Sequence, residues 1–156
     1  MAKKKPIIFV IGPACSGKSY FIKHMYPDAV VVDLLKYQMK YPVMCPETVL
    51  ESYEDCKKAL VRAAKNHPDK TIVLEHTMLR RERRKSYIDA VKAAADRDII
   101  CVCMMPDPEI YKKFCYIRNE VPDSLTWTIF EKPSESEGFS SIYTFKPEVK
   151  SEKGEK

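Results

Sequence analysis

The chain has 156 residues, 45% of them apolar and 31% charged, with a formal net charge of +5. That size favours one domain with a core of its own, and the balance excludes a disordered or fibrous chain. The mild basicity suits phosphate-rich ligands, although part of it sits in the lysines at positions 3–5, which equally read as a solvated end. The apolar run at residues 7–11 is too short for a signal peptide. No stretch approaches the roughly 20 apolar residues of a membrane span, so no membrane partner is expected. The six cysteines (Cys15, Cys45, Cys56, Cys101, Cys103 and Cys115) include no C-x-x-C pair. They read as small buried thiols of a reducing, cytoplasmic compartment rather than as zinc ligands or a disulfide framework.

In chain order, residues 7–11 are a continuous apolar run between Pro6 and Gly12, the pattern of a buried strand in a parallel sheet. A helix is predicted from about Gly17 to just before Pro27. Residues 29–32 form a second β-branched run that ends at Asp33, and Pro42 and Pro46 bracket a loop. From Glu47, positions Val49, Tyr53, Cys56, Leu60, Ala63 and His67 step by four and three along one helical face, until Pro68-Asp69 ends it. Residues 71–74 predict a third strand. Residues 80–97 predict a helix with an Ala-rich inner face and a basic first half. Residues 99–105 predict a fourth strand stopped by Pro106. Asp107 can cap a helix with Pro108 in its first turn, running to about Asn119. Pro122-Asp123 opens a short helix through Lys132, and residues 139–145 read as the last strand. Residues 146–156 are a polar tail expected to fray.

Five strands alternating with helices predict an α/β domain at residues 7–145, with residues 1–6 as a basic end. The expected architecture is a P-loop three-layer sandwich, a mainly parallel five-stranded sheet with helices on both faces. Ligands of such sheets bind at the carboxyl ends of the strands, which singles out residues 12–19, Asp33, residues 75–77 and the stretch after Met105.

The run Gly12, Pro13, Ala14, Cys15, Ser16, Gly17, Lys18, Ser19 fits G-x-x-x-x-G-K-[ST], with a strand before it and a helix after it. The glycines permit a backbone whose N–H groups turn inward, and the helix start adds its positive dipole end. Lys18 can reach the outer phosphates of a nucleoside triphosphate, and the Ser19 hydroxyl can ligate Mg²⁺. Ala14 and Cys15 read as variable filler, and Tyr20 joins the expected nucleotide contacts. No N-K-x-D guanine signature follows, nor an acidic pair after an apolar strand of the kind that activates water. The small size favours a kinase, in which an acceptor hydroxyl replaces water, with ATP and Mg²⁺ as cofactors.

On the acceptor side, Asp33 is placed to take the proton of an attacking hydroxyl, a position that also suits a helix N-cap. Lys36 is a candidate for an anionic group on the acceptor, and Thr77 for a hydrogen bond to it. Glu75 could stand near Mg²⁺, while His76 reads as a polar loop residue. Of the cations in "RRERRKSY", one or two, Arg84 among them, are expected to touch the acceptor; the others are a wet face. Arg118 is placed to fold over the transferring phosphoryl group with Lys18.

With these residues in place, the chain resembles the kinase domain of polynucleotide 5′-hydroxyl kinases, within the wider P-loop kinase group that includes zeta-toxin-like proteins. The P-loop, Asp33 with Lys36, "VLEHTMLRRERRKSY" and "EKPSESEGFSSIYTF" carry the resemblance, the last through Pro133, Glu137, Gly138 and Phe139. It implies Asp33 as general base, adenine contacts near Pro133 and Glu137, and single-stranded or nicked 5′ ends of DNA or RNA as acceptors. Where the family has an arginine before the base this chain has Val32, and its lid carries one arginine, Arg118. A kinase for a nucleoside, sugar or antibiotic, and a nucleotide-binding ATPase without transfer, are the alternative readings.

Overall fold

A computed structural model of the chain describes residues 4–147. Residues 1–3 of the basic end and the polar tail from residue 148 lie outside the described residues. Five strands, β1 (Ile7–Ile11), β2 (Val30–Asp33), β3 (Ile72–His76), β4 (Ile99–Met104) and β5 (Ser141–Phe145), form one sheet in the order β2-β3-β1-β4-β5. Every neighbouring pair is parallel. Among the described residues the α-helices are α1 (Lys18–Met25), α2 (Leu34–Gln38), α3 (Pro46–Asn66), α4 (Arg81–Ala94), α5 (Pro108–Ile117) and α6 (Thr126–Ile129). None of them is long and apolar enough to cross a membrane.

The central strand explains its own sequence. All five residues of β1 are buried, so the run is continuous rather than alternating. Ile7, Phe9 and Ile11 share a core with Leu60 of α3 and Ile88 and Val91 of α4. Ile8 and Val10 face the other layer, against Ile22 and Phe21 of α1. The connection after β1 runs out to β2 at one edge, while that after β3 crosses to β4 on the other side. The carboxyl ends of β1 and β3 therefore flank a topological switch point, where ligands of such sheets bind.

The structure departs from the sequence reading in several elements. Helix α4 stops at Ala94, and its inner face is Arg84, Tyr87, Ile88 and Val91, not the alanines. Ala90, Ala93 and Ala94 are half-buried or exposed, because the larger side chains remove more apolar area from water. Arg97, expected inside that helix, lies beyond it and is buried. Its guanidinium donates to the carbonyls of Lys5 (2.8 Å), Ala64 (3.0 Å), His67 (2.9 Å) and Lys70, tying the end of α3 to the amino ends of β1 and β3. The five-residue α2 is too short for a periodicity signal. It starts where the Asp33 carboxylate accepts the Leu35 N–H at 3.0 Å. The helix predicted over residues 122–132 shrinks to α6, because Asp123 Oδ1 accepts the Leu125 N–H at 2.9 Å and makes a turn instead.

Candidate active site

The loop between β1 and α1 is built by three unusual backbone angles. Gly12 has φ +151°, Cys15 +62° and Gly17 +86°. A Cβ on Gly12 would stand 2.2 Å from the Met104 carbonyl oxygen, so only glycine lets the loop leave β1 beside β4. The Gly12 N–H donates to Thr77 O at 3.1 Å, which fixes the loop against the end of β3. Cys15 is not filler: its thiol is buried and donates to Glu120 Oε2 at 2.8 Å, tying the loop to the segment after α5. Burial first, and the Glu120 carboxylate second, push this thiol up to about 12.

Lys18 folds back over the loop. Its Nζ donates to Gly12 O (2.8 Å) and Pro13 O (2.7 Å), with 8% of the residue exposed. Burial pushes its pKa down to about 8, against the opposing pull of Glu75, Cys15 and Asp33. Ser19 Oγ donates to Glu75 Oε2 at 2.6 Å. Asp33 and Glu75 are register partners on the parallel strands β2 and β3, so both carboxylates stand at the same carboxyl edge.

These side chains line one cleft of about 220 Å³: residues 14–19 of the loop, Asp33, Glu75, Thr77 and Arg118. Gln38, His76 and Glu120 join them. Asp33 both caps α2 and lines the cleft. Two further cavities adjoin it. One, of about 680 Å³ and mostly apolar, shares Cys15, Gly17 and Arg118 with the cleft and is walled by Tyr20, Phe21, Phe114, Ile117, Phe145 and Pro147. The Tyr20 ring stacks on His24 at 4.0 Å there. The other, of about 430 Å³, shares His76 and Thr77 and lies between α3 and α4.

Lys36, Arg84, Pro133 and Glu137 are not brought to the cleft. Lys36 is exposed and lines none of the three cavities; one turn of α2 points Gln38, not Lys36, inward. Arg84 is fully buried. Its Nε donates to Glu137 Oε1 at 2.6 Å, its Nη2 to Glu137 Oε2 at 3.1 Å and its Nη1 to Met78 O at 3.0 Å. It is a core brace and has no face for an acceptor. Pro133 is buried and lines none of the three cavities, and Glu137 is consumed by Arg84. The apolar space beside the loop is instead walled by α1, α5 and the end of β5. Phe145 could have been found from its place at a strand's carboxyl end; Glu120 left no sequence signal. His76 is not a loop residue but the buried last residue of β3.

The cleft also fits a phosphate-bearing ligand by its own chemistry. Ser16 Oγ is buried and has no hydrogen-bond partner among the described residues. It lines a cradle that also holds a lysine and a helix start. The Ser19–Glu75 pair offers oxygen donors of the kind Mg²⁺ takes when phosphate and water fill its other positions.

The fold is that of P-loop kinases. A candidate kinase from Chloroflexus aurantiacus superposes with a TM-score of 0.72 at 7% identity, over 94% of this chain and 87% of that one. A gluconokinase from Sinorhizobium meliloti gives 0.60 at 13% identity, over 92% and 83%. A fungal RNA kinase gives 0.56 at 11% identity, over 92% and 75%. No protein-family model and no curated protein matches the chain.

Proposed function

We propose that the protein transfers the γ-phosphoryl group of ATP to an acceptor hydroxyl, the 5′-hydroxyl of DNA or RNA in the first instance. One observation carries this reading: Lys18, Ser19, Asp33, Glu75 and Arg118, from four separate places in the chain, line a single cleft at the switch point of the sheet. The triphosphate would lie along the loop, with its β- and γ-phosphates against Lys18 and the N-terminus of α1. The apolar cavity would take the base, between Phe21, Phe114 and Phe145. Asp33 would accept the acceptor's proton while the hydroxyl oxygen forms its bond to the γ-phosphorus. The bond from that phosphorus to the β–γ bridging oxygen breaks, and ADP leaves. Arg118 would stabilise charge on the phosphoryl group in transit. Ser19 and Glu75 would hold Mg²⁺, which supplies charge neutralisation on the phosphate oxygens.

A second reading, a kinase for a small acceptor, draws on the 430 Å³ cavity beside the cleft, which is the size of a small-molecule site. It also draws on a gluconokinase having this fold. The test is transfer of label from γ-labelled ATP to 5′-hydroxyl oligonucleotides, nucleosides, gluconate and aminoglycosides. Label on the oligonucleotides supports the first reading, and label confined to a small acceptor supports the second. ATP hydrolysis with no labelled acceptor would overturn both and leave an ATPase without transfer.

A further inference from the structure

The cavity between α3 and α4 has walls of two kinds, apolar and cationic. Val49, Leu50 and Tyr53 of α3 and Ile129 of α6 form its apolar side, and Arg80 and Arg83 bring the charge. Among the described residues no acidic residue lines it. Neither arginine has a carboxylate partner within salt-bridge distance among the described residues. Arg83 is half-buried, with its guanidinium carbon 5.0 Å from the centre of the Tyr53 ring.

His76 stands where this cavity meets the P-loop cleft. It is 2% exposed, and its Nδ1 accepts the Met78 N–H at 3.2 Å, so the ring proton sits on Nε2. The Nε2–H is therefore a fixed donor, and it is buried with no partner among the described residues. Buried donors are normally satisfied, and a ligand group in the adjoining cavity is what would satisfy this one.

We infer that this cavity is the acceptor subsite, and that it selects an acceptor with an anionic group beside a flat apolar body. Arg83 meets the anion, Tyr53 and the α3 side chains meet the body, and His76 Nε2–H donates to a neutral oxygen or nitrogen of the acceptor. The inference rests on the phosphotransfer reading for what the cavity serves, since among the described residues His76 and Thr77 alone join it to the phosphate cleft. It assigns the acceptor's anion to α4 rather than to Lys36, and it disfavours cationic acceptors such as aminoglycosides, for which the described residues of the walls offer no carboxylate.

The test is a binding titration of the full chain saturated with Mg²⁺ and a non-hydrolysable ATP analogue, so that the P-loop cleft is filled. The probes are thymidine, thymidine 3′-monophosphate, a 5′-hydroxyl dinucleotide, gluconate and kanamycin. The expected result is that the two phosphate-bearing probes bind about tenfold or more tightly than thymidine. That margin should vanish in Arg83→Gln and persist in Arg83→Lys, and the His76 Nε2–H proton resonance should shift on binding. The ratio of dinucleotide to mononucleotide affinity separates a nucleic-acid end from a free nucleotide as the source. Equal affinity for thymidine and its phosphate, a margin that survives Arg83→Gln, or tighter binding of gluconate or kanamycin would overturn the inference. If the margin behaves as expected but no probe accepts phosphate from ATP, the phosphotransfer reading fails while the anion-selective cavity stands. Transfer without the margin is the reverse case.

Discussion

Ser19 Oγ and Glu75 Oε2 are 2.6 Å apart across 56 residues of sequence, joining the start of α1 to β3 at the point where the phosphates of a bound nucleotide would end. This link makes the pair testable as a unit. Ser19→Ala and Glu75→Gln are each expected to weaken ATP binding in Mg²⁺ by about tenfold to a hundredfold. Binding in EDTA should change far less. A fluorescent ATP analogue titrated with and without EDTA reads the difference directly.

Lys18 gives a pH signature. Its pKa in the folded chain is about 8, below the ordinary 10.5, so between those values the unfolded chain holds a proton that the folded chain has released. Its contribution to stability therefore rises with pH across that window, by at most about 1.4 kcal/mol per pH unit. Tyrosines and cysteines titrate there too, so the quantity to measure is the stability of the wild type minus that of Lys18→Met. That difference should climb from pH 8 to pH 10.5. A flat or falling difference would contradict the burial argument.

The Arg84–Glu137 pair is a structural brace. Arg84→Ala leaves the buried Glu137 carboxylate with only the more distant, half-exposed Arg81 at 3.6 Å, and is expected to cost about 3 kcal/mol in chemical denaturation. The double variant Arg84→Met, Glu137→Leu should recover most of that loss, because burying an ion pair gains little over well-packed apolar side chains.

Cys15 sits in the loop but should be chemically quiet. Its thiol is raised to about 12 and buried, whereas Cys45, at the start of α3, is half-buried. Limited alkylation at pH 7.5, mapped by mass spectrometry, should mark Cys45 first and leave Cys15 unmodified in the native chain. Early loss of Cys15 would show that the Glu120 contact does not hold in solution.

What was legible in the sequence follows from how each element is built. β1 and β4 announced themselves because strands buried on both faces must be apolar throughout. The loop at residues 12–19 was legible because its backbone admits so few residue types. Charged residues were the hard cases. Arg84 reads from the sequence as an acceptor contact and Arg97 as the last residue of a helix, yet both are core braces whose partners, Glu137 and a set of carbonyls, are distant in sequence. A helix-face argument sees only neighbours three and four residues away, so it could not find them. Lys36 was misplaced for a related reason. Without the short helix α2, the direction of its side chain could not be read.

The central claim, that Asp33 takes the acceptor's proton in a phosphoryl transfer from ATP, is tested most directly by Asp33→Asn. Asparagine caps α2 as well as aspartate does, so the fold should hold, and only the proton acceptor is removed. Single-turnover transfer from γ-labelled ATP to a 5′-hydroxyl oligonucleotide is predicted to fall by about a hundredfold or more, with ATP affinity unchanged. Transfer at the wild-type rate in Asp33→Asn would contradict the account.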